Sequence, residues 1–462
     1  MVDGDVQPIL DMVKEHAEGR REAAEQLYIK GHIPLSFAAR SLGSDVTSLA
    51  QYIPSLGVDI ATSGGTLADR DQGLTAAMDY RGSGAVLDTY TAVVAAEIEV
   101  FEILRSWFGT LRVARSTVDE IDVIIARASA DLGRGSISVG FSDGQYVKQE
   151  VTDEFLQQQL KVLDTIKERI EDHCEILTVA LPDDVSDEVA DFGRKMGNHI
   201  LDPMFLAASQ GDVLLSEDLY YRQIAASLTK VDGTWLQAVL LAARGVGLLT
   251  RSDQSRFFVA LAKRRHGNLW LDLPSLDALF EESTAEGFAS ACHFVGALGA
   301  DMRAHALVTL HFLNAIWGRK NPALKREART TCIITALLRN RPQDWAFWFA
   351  LVWLGADEQT DLRGCLFAWL RGHFLATEPV EKAVRWWSTF LQRDRQPKAQ
   401  DVCTRAMMIY NEQLTPYRAG FRHSASNPTS PSRFDATRKH RTGRPSKSRV
   451  SRKRRKSARY VG

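Results

Sequence analysis

The spacing of apolar residues changes several times along the chain, and each change marks a boundary. Over residues 1–81 they recur at helical intervals, first Ile9, Met12 and Val13, then Ala24, Leu27 and Tyr28, until Thr62 to Gly65 breaks the pattern. Inside this stretch, IPLSFAARSLGSDVTSLAQYI sets a small residue at Ala39, a turn glycine at Gly43 and an apolar residue at Leu49. That spacing suits a DNA-reading helix-turn-helix, but any short helical hairpin with a tight turn shows it, and plain helical packing is the expected reading.

From residue 82 to 274 the texture alternates between short apolar runs and amphipathic stretches. Residues 85–88 (AVLD) predict a buried strand, 90–107 a helix, 111–114 a second strand, and Ser116 onward another helix. Residues 136–141 and 145–151 flank Asp143-Gly144 and predict a hairpin. Leu156, Leu160, Leu163 and Ile170 mark one face of a helix, 176–181 a further strand, and 213–216 the last clear core strand after helices near 185–210. Such alternation implies an α/β fold, a parallel sheet sandwiched between helices. Residues 275–417 predict helices only, and seven of the ten tryptophans lie between Trp317 and Trp387. Their helical spacing, as in Trp345, Trp348 and Phe349, points to packing rather than base stacking, and no repeat period emerges.

Charge divides the chain more sharply than its formal net charge of zero suggests, because residues 418–462 hold 15 of the 57 Lys and Arg and one acid, Asp435. The tail is therefore strongly basic and the remainder acidic. SASNPTSPS, residues 424–432, predicts disorder, and the basic residues 433–459 can neutralise phosphates in a sequence-independent, salt-sensitive way. Thr442-Gly443-Arg444-Pro445 is similar to an AT-hook core, with Thr442 where an arginine usually stands. Polyanion binding, minor-groove preference and a merely solvated tail are the readings this segment allows. Residues 345–355 give about half of the roughly 20 apolar residues a bilayer crossing needs, so no membrane span is expected. The opening MVDGDVQPILDMVKEH lacks the order of a secretion signal, and a cytoplasmic protein is expected. Cys174, Cys292, Cys332, Cys365 and Cys403 are scattered and odd in number, which suits reduced core residues.

Chemistry enters through acids. In an open α/β sheet ligands gather at the carboxyl ends of the strands. Asp88 closes the first strand, Asp218 follows the last, Glu120 is expected in the first turn of a helix, and Asp202 is expected to begin one. Brought together they would repel one another and call for a hard cation, Mg²⁺ or Mn²⁺, with phosphodiester hydrolysis as the expected reaction. Each also has a local explanation. Asp88 suits an N-cap, Asp202 before Pro203 an N-cap and N1 pair, Glu120 a first-turn acid, and Asp218 a loop.

VLDTYTAVVAAEIEVFEIL, LRVARSTVDEI and ILDPMFLAASQGDVLLSEDLYYRQIA together resemble the PIN domain family over roughly residues 82–260. The resemblance implies a PIN-like three-layer α/β/α sandwich with all-α flanks, similar to larger bacterial PIN-containing proteins, and a Mg²⁺- or Mn²⁺-dependent ribonuclease. It makes Asp88, Glu120, Asp202 and Asp218 the metal ligands and Ser216 the hydroxyl residue of a Ser/Thr-x-Asp element. Asp119 competes with Glu120, and the hairpin lengthens the interval before Asp202. The expected organisation is a helical region (1–81), the PIN-like domain (82–274), a helical domain (275–417) that can take a protein partner, and the tail (418–462). RNA is the expected substrate over DNA, bound at the acidic rim and at residues 433–459. The rival reading is a catalytically silent PIN-fold adaptor.

Overall fold

The computed structural model describes residues 7–373, apart from 134–135, 143–144, 183–184, 283, 297–301, 340, 342–343 and 357–358, together with 385 and 389. The predicted basic tail lies outside these residues, as do Asp143-Gly144, Cys403, Trp386 and Trp387.

Five short strands form the central sheet: β1 (Ala85–Leu87), β2 (Leu111–Ala114), a strand at Glu175–Leu177, another at Val213–Leu215, and Gly233–Thr234. With the antiparallel hairpin strands β3 (Ser136–Ser142) and β4 (Gln145–Val151) counted in chain order, the last three are β5, β6 and β7. The order is β5-β2-β1-β6-β7, and every pairing in this sheet is parallel. A strand buried on both faces needs apolar residues throughout, which is why β1 reads AVL and β6 reads VLL without alternation.

Alternate side chains of these strands enter two cores. Ala85, Leu87, Leu111, Val113, Val213 and Leu215 join one apolar cluster, with α5 (Thr89–Glu97), α6 (Phe101–Phe108), α8 (Asp153–His173) and α12 (Leu236–Gly245). Val86, Ala114 and Leu214 face a smaller cluster, with α10 (Asn198–Gln210) and α11 (Leu219–Thr229). Helix, sheet and helix thus make three layers. The larger cluster continues without a break into the helices from Leu273 to His373. No described helix is long and apolar enough to cross a membrane.

Several expected elements differ in detail. The helix expected over 90–107 is two, α5 and α6, because Glu99 takes φ 60 and breaks the path between them. The strand expected over 176–181 is Glu175–Leu177, and that expected over 213–216 ends at Leu215. β7 was not foreseen, since two residues carry no pattern. Residues 7–79 fold as α1 (Gln7–Ala24), a π-helical turn Glu25–Lys30, α2 (Leu35–Ser41), α3 (Val46–Tyr52), a 3₁₀ turn and α4 (Leu67–Asp79). Ala39 and Leu49 of the α2–α3 hairpin are buried, and Gly43 adopts φ 66 in its turn.

Candidate active site

The chain runs outward from β1 to β2 and β5, then returns to β6 and β7, so the sheet changes direction between β1 and β6. A crevice for ligands opens at the carboxyl ends of strands flanking such a switch. Register decides what meets there. Leu87 is level with Leu215, so Asp88 and Ser216 emerge side by side. The Ser216 hydroxyl donates to Asp88 Oδ2 at 2.5 Å and accepts the Asp218 N–H at 3.2 Å.

Both acids also start helices. Asp88 caps α5, its Oδ1 accepting the Thr91 N–H at 2.7 Å. Asp218 caps α11 through the N–H groups of Tyr220 and Tyr221. The capping expected of Asp88 is therefore real, and Asp218 is a cap as well, not a solvated loop residue. Capping leaves other oxygens free for further partners, and Asp218 Oδ2 accepts the N–H of Leu35 at 2.5 Å. Each carboxylate is almost wholly buried. Burial raises the Asp88 pKa against the hydrogen bonds from Ser216 and Thr91. For Asp218 burial, with the Asp88 charge adding to it against the Leu35 bond, pushes the pKa up to about 7. Arg222, also buried, brings a positive charge to bear on Asp218, but its guanidinium donates to the carbonyls of Ser216 and Thr62 at 2.5 and 2.7 Å.

Glu120 and Asp202 sit on helices that border this edge. α7 (Arg115–Ala130) places Glu120 in its second turn, not the first, with Ser116 one turn before it. Asp119 is exposed while Glu120 turns inward, so Glu120 is the acid facing the interior. α10 begins at Asn198 after Gly197, whose φ of 110 turns the chain into it. Asp202 therefore lies in its second turn and Pro203 inside the helix, which corrects the expected N-cap and N1 pair. The local Asp-Pro signature is overridden by packing of Ile200 and Leu201 in the core.

These two acids have their own partners. Asp202 accepts the Ser116 hydroxyl at 2.6 Å, and burial raises its pKa against that bond. Glu120 lies 3.6 Å from His199 Nδ1. Burial, with Arg40 adding to it, holds His199 down at about 4, so the ring is neutral at physiological pH and the approach is not an ion pair. Burial also raises the Glu120 pKa, with Arg127 opposing it. Asp88, Asp202 and Asp218 all bear electrostatically on the Tyr221 hydroxyl.

The donors suit Mg²⁺ or Mn²⁺ in kind, being hard carboxylate and hydroxyl oxygens in a buried, mutually repelling pair. Their arrangement is less complete. Among the described residues no three of His, Cys, Asp and Glu are grouped closely enough to hold a metal ion. Asp88, Ser216 and Asp218 are brought together, whereas Glu120 and Asp202 are turned onto His199 and Ser116. Sequence reasoning missed His199, Ser116, Thr91 and the Leu35 N–H. The first two were legible as neighbours on one helical face, His199 three before Asp202 and Ser116 four before Glu120.

The fold is an α/β sandwich around a parallel sheet, with acids at its switch point. Residues 86–227 match the family described as the PIN domain associated with the TPR-GreAB-C-PIN system, and this part of the chain, from β1 through most of α11, is a PIN domain. No curated protein and no solved structure matched the chain.

Proposed function

We propose that the PIN domain is a metal-dependent endonuclease that hydrolyses phosphodiester bonds of RNA in the cytoplasm. The observation that carries this reading is that Asp88 and Asp218, both buried, lie on loops joined by the Ser216 hydroxyl, which donates to the Asp88 carboxylate and accepts the Asp218 backbone N–H. A carboxylate buried beside another is costly to ionise without a cation, and the Asp218 pKa, raised first by burial and then by the Asp88 charge, expresses that cost. Asp88 and Asp218 would hold Mg²⁺ or Mn²⁺, with Glu120 and Asp202 supplying further oxygens from α7 and α10. When bound, such an ion supplies an activated water at neutral pH and offsets charge on the phosphate. The chain's own residues orient this site. Ser216 fixes the Asp88 carboxylate by donating to it, and Thr91 ties the two acid-bearing loops by accepting the Glu217 N–H at 2.7 Å. Residues 433–459 would raise the local concentration of nucleic acid, and the C-terminal helices would offer a surface to a protein partner.

A second reading, a silent PIN-fold adaptor, is favoured by the Leu35 N–H on Asp218 and by the separate partners of Glu120 and Asp202. Incubating the full-length protein with labelled single-stranded RNA, with and without Mg²⁺ or Mn²⁺, separates the two. Cleavage that needs the metal and is lost in Asp88→Asn and Asp218→Asn supports the nuclease. RNA binding with no metal-dependent cleavage supports the adaptor.

A further inference from the structure

Behind the two acid-bearing loops runs a buried chain of hydrogen bonds that the proposed chemistry does not use. Glu217 and His266 are wholly buried and Tyr90 is 6% exposed. Glu217 Oε1 accepts the Leu236 N–H at 2.6 Å, and its Oε2 lies 2.6 Å from His266 Nδ1. On the far side of the ring, His266 Nε2 lies 2.9 Å from the Tyr90 hydroxyl. The imidazole is thus held at both ring nitrogens, by the Glu217 carboxyl at Nδ1 and the Tyr90 hydroxyl at Nε2, with the direction of each bond set by the tautomer.

The placement of the ends gives the chain its meaning. Tyr90 is two residues beyond Asp88 in the first turn of α5, and Glu217 immediately precedes Asp218. The imidazole therefore spans the two loops that carry Asp88 and Asp218 and that the Ser216 hydroxyl joins at the switch point. Its own position is fixed from outside the family-matched residues. Ile60 donates to the Arg265 carbonyl at 2.9 Å, Gly267 donates to the Ile60 carbonyl at 2.6 Å, and Thr62 donates to the Gly267 carbonyl at 2.6 Å. A Cβ at Gly267 would come within 2.7 Å of that Ile60 oxygen, so only glycine permits the approach. A buried polar chain whose members are all hydrogen-bonded holds the elements it joins in one arrangement.

We propose that His266 is a positioning residue of the acidic site: by bridging Glu217 to Tyr90 it sets the separation of Asp88 and Asp218, and with it their affinity for a divalent cation. This rests on reading Asp88 and Asp218 as cation-binding acids. Tyr90→Phe removes one hydroxyl and keeps the ring, and His266→Asn keeps a donor near Glu217 but does not reach Tyr90.

The test follows Mn²⁺ binding to the full-length protein by the electron paramagnetic resonance signal of the free ion, with thermal unfolding of the metal-free protein alongside. The expected result is Mn²⁺ affinity weakened about 10-fold or more in either variant, the scale typical of supporting residues around a metal. The double variant should be no weaker than the worse single one, because both cut the same link. Metal-free Tyr90→Phe should still unfold in one cooperative transition, lowered only by the loss of a single buried hydrogen bond. Affinities within about 2-fold of wild type in both variants, with binding still lost in Asp88→Asn, would overturn the positioning role and leave the acidic site standing. Wild-type protein that binds no more Mn²⁺ than Asp88→Asn would overturn both.

Discussion

The backbone N–H of Leu35 reaches Asp218 Oδ2 at 2.5 Å, joining residues 183 positions apart. Through this bond the N-terminal helices lie against the acidic edge of the sheet. Phe37, on the same helix, stacks on Phe192 of α9 (Asp187–Met196) with ring centroids 5.3 Å apart. Further along α2, the Arg40 charge is felt by both Glu120 and His199. The rim is therefore built by the PIN domain and bordered by a segment that precedes it.

Deleting that single N–H is feasible because Leu35 is the first residue of α2, where proline is tolerated, and Pro34 has the extended ψ of 148 that a following proline requires. Leu35→Ala removes the buried side chain but keeps the donor. Leu35→Pro should therefore be less stable than Leu35→Ala by about 1–3 kcal/mol, the range for a buried bond to a charged group. Urea unfolding of the two variants at pH 8 measures the difference, and equal midpoints would remove the bond from the account.

Two groups at the rim pull stability in opposite directions with pH. Asp218, raised from 3.8 to about 7, stabilises the fold only while protonated, so its contribution is complete below 3.8 and lost as pH rises through about 7. His199, lowered from 6.5 to about 4, favours the neutral ring, so its contribution is present above 6.5 and lost as pH falls through about 4. Relative to wild type, Asp218→Asn should gain stability between pH 4 and 7 as the pH rises. His199→Gln should gain, relative to wild type, as the pH falls from 6.5 to about 4. Thermal melts across this window in metal-free buffer check both slopes.

Because Asp119 faces solvent and Glu120 faces inward, the two neighbouring acids should behave differently. Glu120→Gln is expected to lower metal-dependent RNA cleavage by about 10- to 100-fold. Asp119→Asn should leave it near wild type, with a stability change inside about 0.5 kcal/mol. Equal losses in the two variants would contradict the orientation of α7.

Removing residues 433–459, where the basic residues cluster, should weaken RNA binding strongly at low salt and much less at high salt. Counterion release is the reason, since fewer phosphate contacts flatten the dependence of affinity on salt. Turnover at saturating RNA should survive the deletion. A titration series at several salt concentrations reads the slope directly.

Much of the sheet was legible because buried parallel strands must be apolar throughout. AVL and VLL announce β1 and β6, LRVA announces β2 despite the half-buried Arg112, and the Asp and Ser that end the first and last runs announce Asp88 and Ser216. The break between α5 and α6 was hidden, since Ile98 and Val100 on either side of Glu99 continue the apolar pattern while the backbone turns. Asp202-Pro203 misled for the opposite reason: a strong local signature lost to packing of the whole helix α10. The Leu35 bond could not be read at all, because a backbone N–H is common to nearly every residue and only the tertiary fold selects which one meets Asp218. His266 escaped for a related reason, lying outside the resemblance and 49 positions from Glu217.

The most direct test of the central claim is anomalous diffraction from crystals of the full-length protein soaked in Mn²⁺. The account predicts one strong peak at the carboxyl ends of β1 and β6, about 2 Å from carboxylate oxygens of both Asp88 and Asp218, and none in Asp88→Asn crystals. A map with no peak there, and with Asp218 still bonded to the Leu35 N–H, would contradict it.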